Sequence, residues 1–269
     1  MKPVSPRASA FLAEMGIGPL WTLRQPAPGP AAVDIGVALA DQASAALEQE
    51  GAGAAVAPVE QQGAAAAAVP DIAQMDWPAL RVAIASCERC GACRAGARPV
   101  YGAGAERAVW LVAAGATSGA DEAAGLPVAG EAGTLLDNML AAAGHARARD
   151  VYVTNLVKCR PVSANGGDRA PSAEEVAACR PFVERELALS GATVMLTLGQ
   201  VANNAMLGKA LQTALAGARG QVHALGGAAL VATLHPAELL QRGADKALAW
   251  ADLCRAMAAS APAGDDRAA

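Results

Sequence analysis

The stretch DVYVTNLVKCRP, residues 150–161, decides how the chain folds. Its first eight residues are almost all β-branched, aromatic or aliphatic, which is the composition of a buried strand. Working outward, AVWLVAA (108–114), TVMLTLG (193–199) and ALVATL (229–234) are apolar runs of strand length, and QVHAL (221–225) is a shorter one. Segments with helical spacing lie between them. GTLLDNMLAAAG (133–144) ends at glycine, and SAEEVAACRPFVERELAL (172–189) opens with Ser172 and Glu175 at capping-box spacing. QVANNAMLG (200–208) and DKALAWADLCRAMAA (245–259) are further helices, and DWPALRVAIASC (76–87) is a helix leading into cysteines. Strands alternating with helices define an α/β fold with a largely parallel sheet and its site at the carboxyl ends of the strands.

Before this region the texture differs. Residues 8–24 have the pattern of a short amphipathic helix. Residues 25–69 are rich in Ala, Gly and Pro and too poor in large apolar side chains to offset chain entropy, so a disordered linker is expected there. The expected organisation is a helical segment at 1–24, the linker at 25–69, a folded domain at 70–259 and a disordered tail at 260–269. A net charge of −4 argues against a generally basic nucleic-acid coat but leaves room for a local basic patch. Neither a secretory h-region nor an apolar run of membrane-spanning length is read, so a soluble, cytoplasmic monomer is expected.

In that compartment cysteine clusters more often bind metal than form disulfides. CERCGACRAG (87–96) holds three of the six cysteines, Cys87, Cys90 and Cys93, at CxxCxxC spacing. A ferredoxin-like run would need a fourth cysteine where Ala97 stands, so further ligands must come from afar. Cys159 at the end of the 150–157 strand and Cys179 in the following helix are the candidates. Four thiolates suit either a [4Fe–4S] cluster or structural zinc. Cys254 lies on a helix beside Leu253 and reads as a core residue.

The chain resembles the family 4 uracil-DNA glycosylases. The resemblance rests on CERC followed by VYGAG, GLPVAGEAGTLLDNML, VYVTNLVKCRP, RAPSAEEVAACRPF, LTLGQVA, RGQVH and LHPAELL, in register between about residues 84 and 255. It implies a three-layer α/β sandwich around a central, largely parallel four-stranded sheet. The implied function is hydrolysis of the N-glycosidic bond of uracil in DNA, with base flipping, in base-excision repair. It also implies a [4Fe–4S] cluster held by Cys87, Cys90, Cys159 and Cys179, which leaves Cys93 as a spare thiol. Asn155 falls where the family's asparagine pairs with uracil, and His235 where its histidine donates to the developing oxyanion.

The first catalytic motif departs from the family pattern. It usually reads G-E-[AG]-P-G-x-x-x-D, but the columns here read Ala114-Gly115-Ala116-Thr117-Ser118, so Gly115 occupies the glutamate column. Val128 stands where an aromatic ring usually stacks on uracil, and a valine offers no π face. Asp121 persists as a candidate carboxylate, with a solvated loop acid as the plain alternative. Lys158, Arg160, Arg169 and Arg180 surround the proposed cluster ligands and are candidates for phosphate contact. Leu239 and Leu240 occupy the region from which such enzymes wedge the duplex. The expected partners are uracil-containing DNA and a repair or replication protein reached through the N-terminal segment. The degenerate motif raises a second expectation, a catalytically weak or inactive iron–sulfur protein that binds DNA. A zinc-stabilised binding module is the third.

Overall fold

A computed structural model describes residues 71–94 and 98–260. The expectations for residues 1–24 and 25–69, and for the tail beyond Ser260, fall outside them. In chain order the elements are α1 (Trp77–Ala85), α2 (Gly91–Arg94), β1 (Ala103–Gly104), β2 (Trp110–Ala116), α3 (Gly119–Ala124), α4 (Gly130–Ala142) and β3 (Val151–Val157). They continue with α5 (Ala173–Ser190), β4 (Val194–Leu198), α6 (Gly199–Met206), β5 (Val222–Leu225), β6 (Ala228–Thr233), α7 (Pro236–Gln241) and α8 (Lys246–Ser260).

Strand β3 is buried along its whole length, as a parallel strand covered on both faces must be. It pairs in parallel with β2 through Leu111↔Tyr152 and Ala114↔Asn155; β2 pairs in parallel with β4, and β4 with β6. The expected four-stranded parallel centre is therefore present, but the sheet is larger. Among the described residues it has six strands in the order β1-β3-β2-β4-β6-β5, and both edge strands run antiparallel. The four-strand expectation fails at β1 because that strand is only two residues long, too short to carry any periodicity. Its Gly104 has φ +122°, and a Cβ there would lie 2.2 Å from the Val151 carbonyl oxygen, so only glycine lets the edge close.

Period-two alternation sends side chains to opposite faces. Leu111, Tyr152, Leu156, Met195 and Leu230 pack under α5 and α6, against Val176, Val183, Leu187 and Met206. Trp110, Val112, Val153, Leu196 and Val231 pack under α4 and α8, against Leu136, Leu140, Leu253 and Ala256. This is the expected three-layer sandwich. On the outside of α5, Phe182 packs against Leu80 and Ile84 of α1. Ser172 and Glu175 form the capping box that opens α5, as their spacing predicts. No helix among the described residues is long and apolar enough to cross a membrane.

Cys254 is exposed, not core. The buried stripe of α8 runs through Ala249, Asp252, Leu253 and Ala256, and position 254 turns away from it.

Candidate active site and metal centre

The carboxyl ends of β2, β3 and β6 bring Thr117, Asn155 and His235 toward one region. Asn155 is the fifth residue of β3 and has no solvent exposure. Its Nδ2 donates to Asp121 Oδ2 at 2.9 Å and to Thr117 Oγ1 at 3.2 Å. Its Oδ1 has no hydrogen-bond partner. Thr233 Oγ1, at the end of β6, is likewise buried without one. Buried polar atoms are almost always paired, so the orphaned Asn155 Oδ1 near the carboxyl end of β3 marks a group built to receive a polar ligand.

Asp121 is not a solvated loop acid. It is 4% exposed and sits at the third position of α3, a helix that Ser118 caps. Asp121 Oδ2 accepts the Ser118 N–H at 3.1 Å, and Oδ1 accepts the Ala129 N–H at 2.7 Å. The carboxylate thus ties α3 to the start of α4 and to Asn155. Thr117, which falls in the proline column of the family motif, is 2% exposed. Its hydroxyl has the Val157 and Lys158 carbonyl oxygens at 3.0 and 2.9 Å as acceptors. The signal that could have found Thr117 is the β2–β3 register, which no single strand reveals.

His235 caps α7. Its Nδ1 accepts the Ala237 N–H at 3.1 Å, so in the neutral ring the proton sits on Nε2, which is left as a donor. Burial lowers the His235 pKa below its ordinary 6.5, while the charge of Asp121 pulls the other way. Gly199 makes room for this histidine: it has φ +82°, and a Cβ there would lie 3.3 Å from His235 Cβ.

The remaining two base-contact candidates differ in kind. Gly115 lies at the end of β2, and a Cβ there would sit 3.4 Å from Val201, an ordinary contact. Val128 is 3% exposed and belongs to the core under α4. It has φ +50°, a conformation that β-branched residues rarely adopt. Arg147 holds this turn by donating to the Pro127 and Val128 carbonyl oxygens at 2.8 and 3.0 Å, while Asp137 fixes its Nε at 2.6 Å.

Five cysteines gather at one corner, around α2, the exit of β3 and α5. Cys90, Cys159 and Cys179 are buried; Cys87 and Cys93 are partly so. Cys93 Sγ lies 3.2 Å from Cys159 Sγ and 3.5 Å from Cys90 Sγ, so the residue that the resemblance leaves spare stands among the expected ligands. Burial pushes the Cys179 thiol up to about 11, partly offset by the Lys158 backbone N–H that donates to its sulfur. Burial raises Cys159 and Cys93 as well. Among the described residues no group of three or more His, Cys, Asp or Glu side chains is arranged to hold a single metal ion. An all-sulfur donor set of this kind is nevertheless chemically suited to soft metals and iron–sulfur clusters.

The DNA-contact candidates need correction. Lys158 is 1% exposed and points inward, where its Nζ meets Glu186 Oε1 and Oε2 at 2.9 and 2.7 Å and Thr154 Oγ1 at 2.6 Å. It cannot reach a phosphate from there. Leu239 is 1% exposed and core, so it is no wedge; Leu240 beside it is 45% exposed. Arg160 is paired with Asp168 and Glu122, Arg169 grips Glu175 through two nitrogens, and Arg180 pairs with Glu184.

A model of the uracil DNA glycosylase superfamily matches residues 102–254. The chain is 29% identical to the type-4 uracil-DNA glycosylase of Pyrobaculum aerophilum over 184 residues, which cover 63% of this chain and 87% of that one. It is 39% identical to the type-4 enzyme of Archaeoglobus fulgidus over 120 residues, 44% of this chain and 57% of the relative. For the type-4 enzyme of Thermotoga maritima the figures are 35% over 123 residues, 45% and 60%.

Proposed function

Because the chain belongs to the uracil DNA glycosylase superfamily, we propose that it is an iron–sulfur uracil-DNA glycosylase that removes uracil from DNA by hydrolysis. The observation that carries this reading is the fully buried Asn155 amide with an unpartnered oxygen, at the strand ends to which His235 also belongs. A flipped uracil presents an N–H and carbonyl oxygens along one edge, and such a site can pair with it.

The chemistry follows from where charge develops. As the glycosidic bond lengthens, the base leaves as an anion and the sugar becomes cationic. His235, held neutral by burial and with Nε2 as its donor, serves the uracil O2 as negative charge collects there. Asn155 holds the ring, and the Asp121 carboxylate adds negative charge to the site that favours the cation. Position 115 supplies no side chain, so the usual glutamate's share of water activation is missing. Val128, under its neighbours in the core, supplies packing in place of an aromatic face.

Cys87, Cys90, Cys159 and Cys179 are the residues we assign to the [4Fe–4S] cluster, which when bound would tie α2, the β3 exit and α5 together. Of the surface groups, Arg160 and Arg169 meet phosphate only by exchanging Asp168 and Glu175 for it, and Leu240 takes over the wedge position from Leu239. A second reading, a DNA-binding homologue with little turnover, is favoured by Gly115 and by the missing aromatic face at Val128. Loss of one preorganised catalytic group typically lowers rate by about 10²–10³-fold.

The deciding experiment is single-turnover release of uracil from an oligonucleotide by brown, anaerobically purified full-length protein. Release that Asn155→Ala and His235→Ala both abolish supports the glycosylase. DNA binding without release by fully loaded protein supports the second reading.

A further inference from the structure

We propose that Cys93 is a fifth donor of the cluster site: it replaces Cys87 whenever that residue lets go, so the CxxCxxC run supplies two interchangeable pairs, 87/90 and 90/93, that share Cys90. This rests on the cluster assignment made above and goes beyond it by giving the fifth thiol a role.

A [4Fe–4S] cluster takes four thiolates, and five thiols gather at this corner. Cys90 immediately precedes α2 and Cys93 is the third residue of that helix. Residues three apart on a helix are neighbours on one face, so these two side chains share a direction. Cys93 Sγ lies 3.5 Å from Cys90 Sγ and 3.2 Å from Cys159 Sγ. It packs with Cys90, Ala92 and Cys159, and Ala178, the chain neighbour of Cys179, packs against the same group.

Cys87 has the same spacing from Cys90 but different surroundings. It lies before α2, so helical register does not bring it round to the face that Cys90 and Cys93 share. It packs against Met75, Leu80, Ile84 and Phe182, and it lines the open groove between α1 and α5. Of the two competing thiols, Cys93 is therefore the one that touches two of the other ligands, and Cys87 is the one that borders the groove.

A donor tethered this close acts at high effective concentration. When Cys87 departs, Cys93 passes its proton to the leaving thiolate and takes the same iron as a thiolate, so one iron–sulfur bond breaks, one forms, and no electron moves. Cys90 has no such substitute, because both pairs need it.

The test measures iron and acid-labile sulfide per chain, and the rate at which EDTA strips the iron. It uses anaerobically purified, full-length wild type, Cys87→Ser, Cys93→Ser, the double Cys87→Ser/Cys93→Ser variant and Cys90→Ser. Cys87→Ser should keep iron and sulfide near the wild-type content, whereas the double variant and Cys90→Ser should lose them. Cys93→Ser should be loaded like wild type at the start and lose iron to EDTA at least about tenfold faster. A Cys93→Ser protein that loses iron at the wild-type rate overturns the inference, whether or not Cys87→Ser folds. A folded Cys87→Ser without iron and sulfide overturns it too, as does a double variant that stays fully loaded. In those cases wild type that carries iron and sulfide leaves the cluster assignment standing. Wild type without either removes the assignment and the inference together.

Discussion

Replacing Lys158 by methionine should cost the protein much of its stability without touching its electrostatic hold on DNA. Lys158 and Glu186 are each 1% exposed and are joined by two short contacts of 2.7 and 2.9 Å. Removing one partner of such a pair leaves an uncompensated charge in the interior, a loss of about 3–5 kcal/mol. For a folded region of this size each kcal/mol shifts the melting temperature by about 2–4 °C, so a fall of about 6–20 °C is expected. Lys158→Met combined with Glu186→Leu removes both charges at similar volume and should regain most of the loss. It should not regain all of it, because the Thr154 and Tyr152 hydroxyls lose their partners. Thermal unfolding of the two single variants, the double variant and wild type, each checked for cluster absorbance, gives the stabilities. DNA affinity against salt gives the number of phosphate contacts. The salt slope should be unchanged in Lys158→Met. A variant that melts within about 2 °C of wild type and loses about 0.9 from the slope would make Lys158 a phosphate contact after all.

Three further outcomes follow from the site. His235 has a folded-state pKa below its ordinary 6.5, so the unfolded chain protonates first: the residue costs no stability above about pH 6.5 and destabilises as pH falls below it. Because uracil release needs the neutral ring, the acid limb of the single-turnover rate should also lie below 6.5; a limb centred above that value contradicts the donor role. Arg147→Ala frees the Pro127 and Val128 carbonyl oxygens at a turn where valine has φ +50°, and should destabilise by about 2 kcal/mol in denaturant unfolding, with uracil release also slowed. Unchanged stability would mean that the turn holds itself. Gly115→Ala should fold as wild type, since its Cβ meets Val201 at 3.4 Å, and Gly115→Glu should release uracil faster than wild type. Slower release by a well-folded Gly115→Glu would show that the site is organised around the glycine.

The sequence made some parts of this arrangement legible and concealed others for definite reasons. Strand β3 and helix α5 could be read because each carries a long signal, a continuous β-branched run in one and a capping box before an apolar stripe in the other. Asn155 and His235 were legible because their motifs are local. Helix α3 was not, since GADEAA has only six residues and no apolar face; the Ser118–Asp121 spacing was its one trace. Nor could Thr117 be placed in the site, because its contact with Asn155 exists only once β2 and β3 lie side by side. Lys158 was misread from its company of arginines. The corrective signal was Glu186, which falls on the buried face of α5 with Val183 and Leu187 and therefore demands a cation. Leu239 and Leu240 differ by one helical step, enough to send one into the core and the other to solvent.

The most direct test of the site is a crystal structure of the cluster-loaded protein with free uracil. The ring should lie at the carboxyl ends of β3 and β6, its N3–H on Asn155 Oδ1 and its O2 on His235 Nε2, with Asp121 still holding Asn155 Nδ2. Uracil bound elsewhere, or seated there without contact to Asn155, would contradict the account.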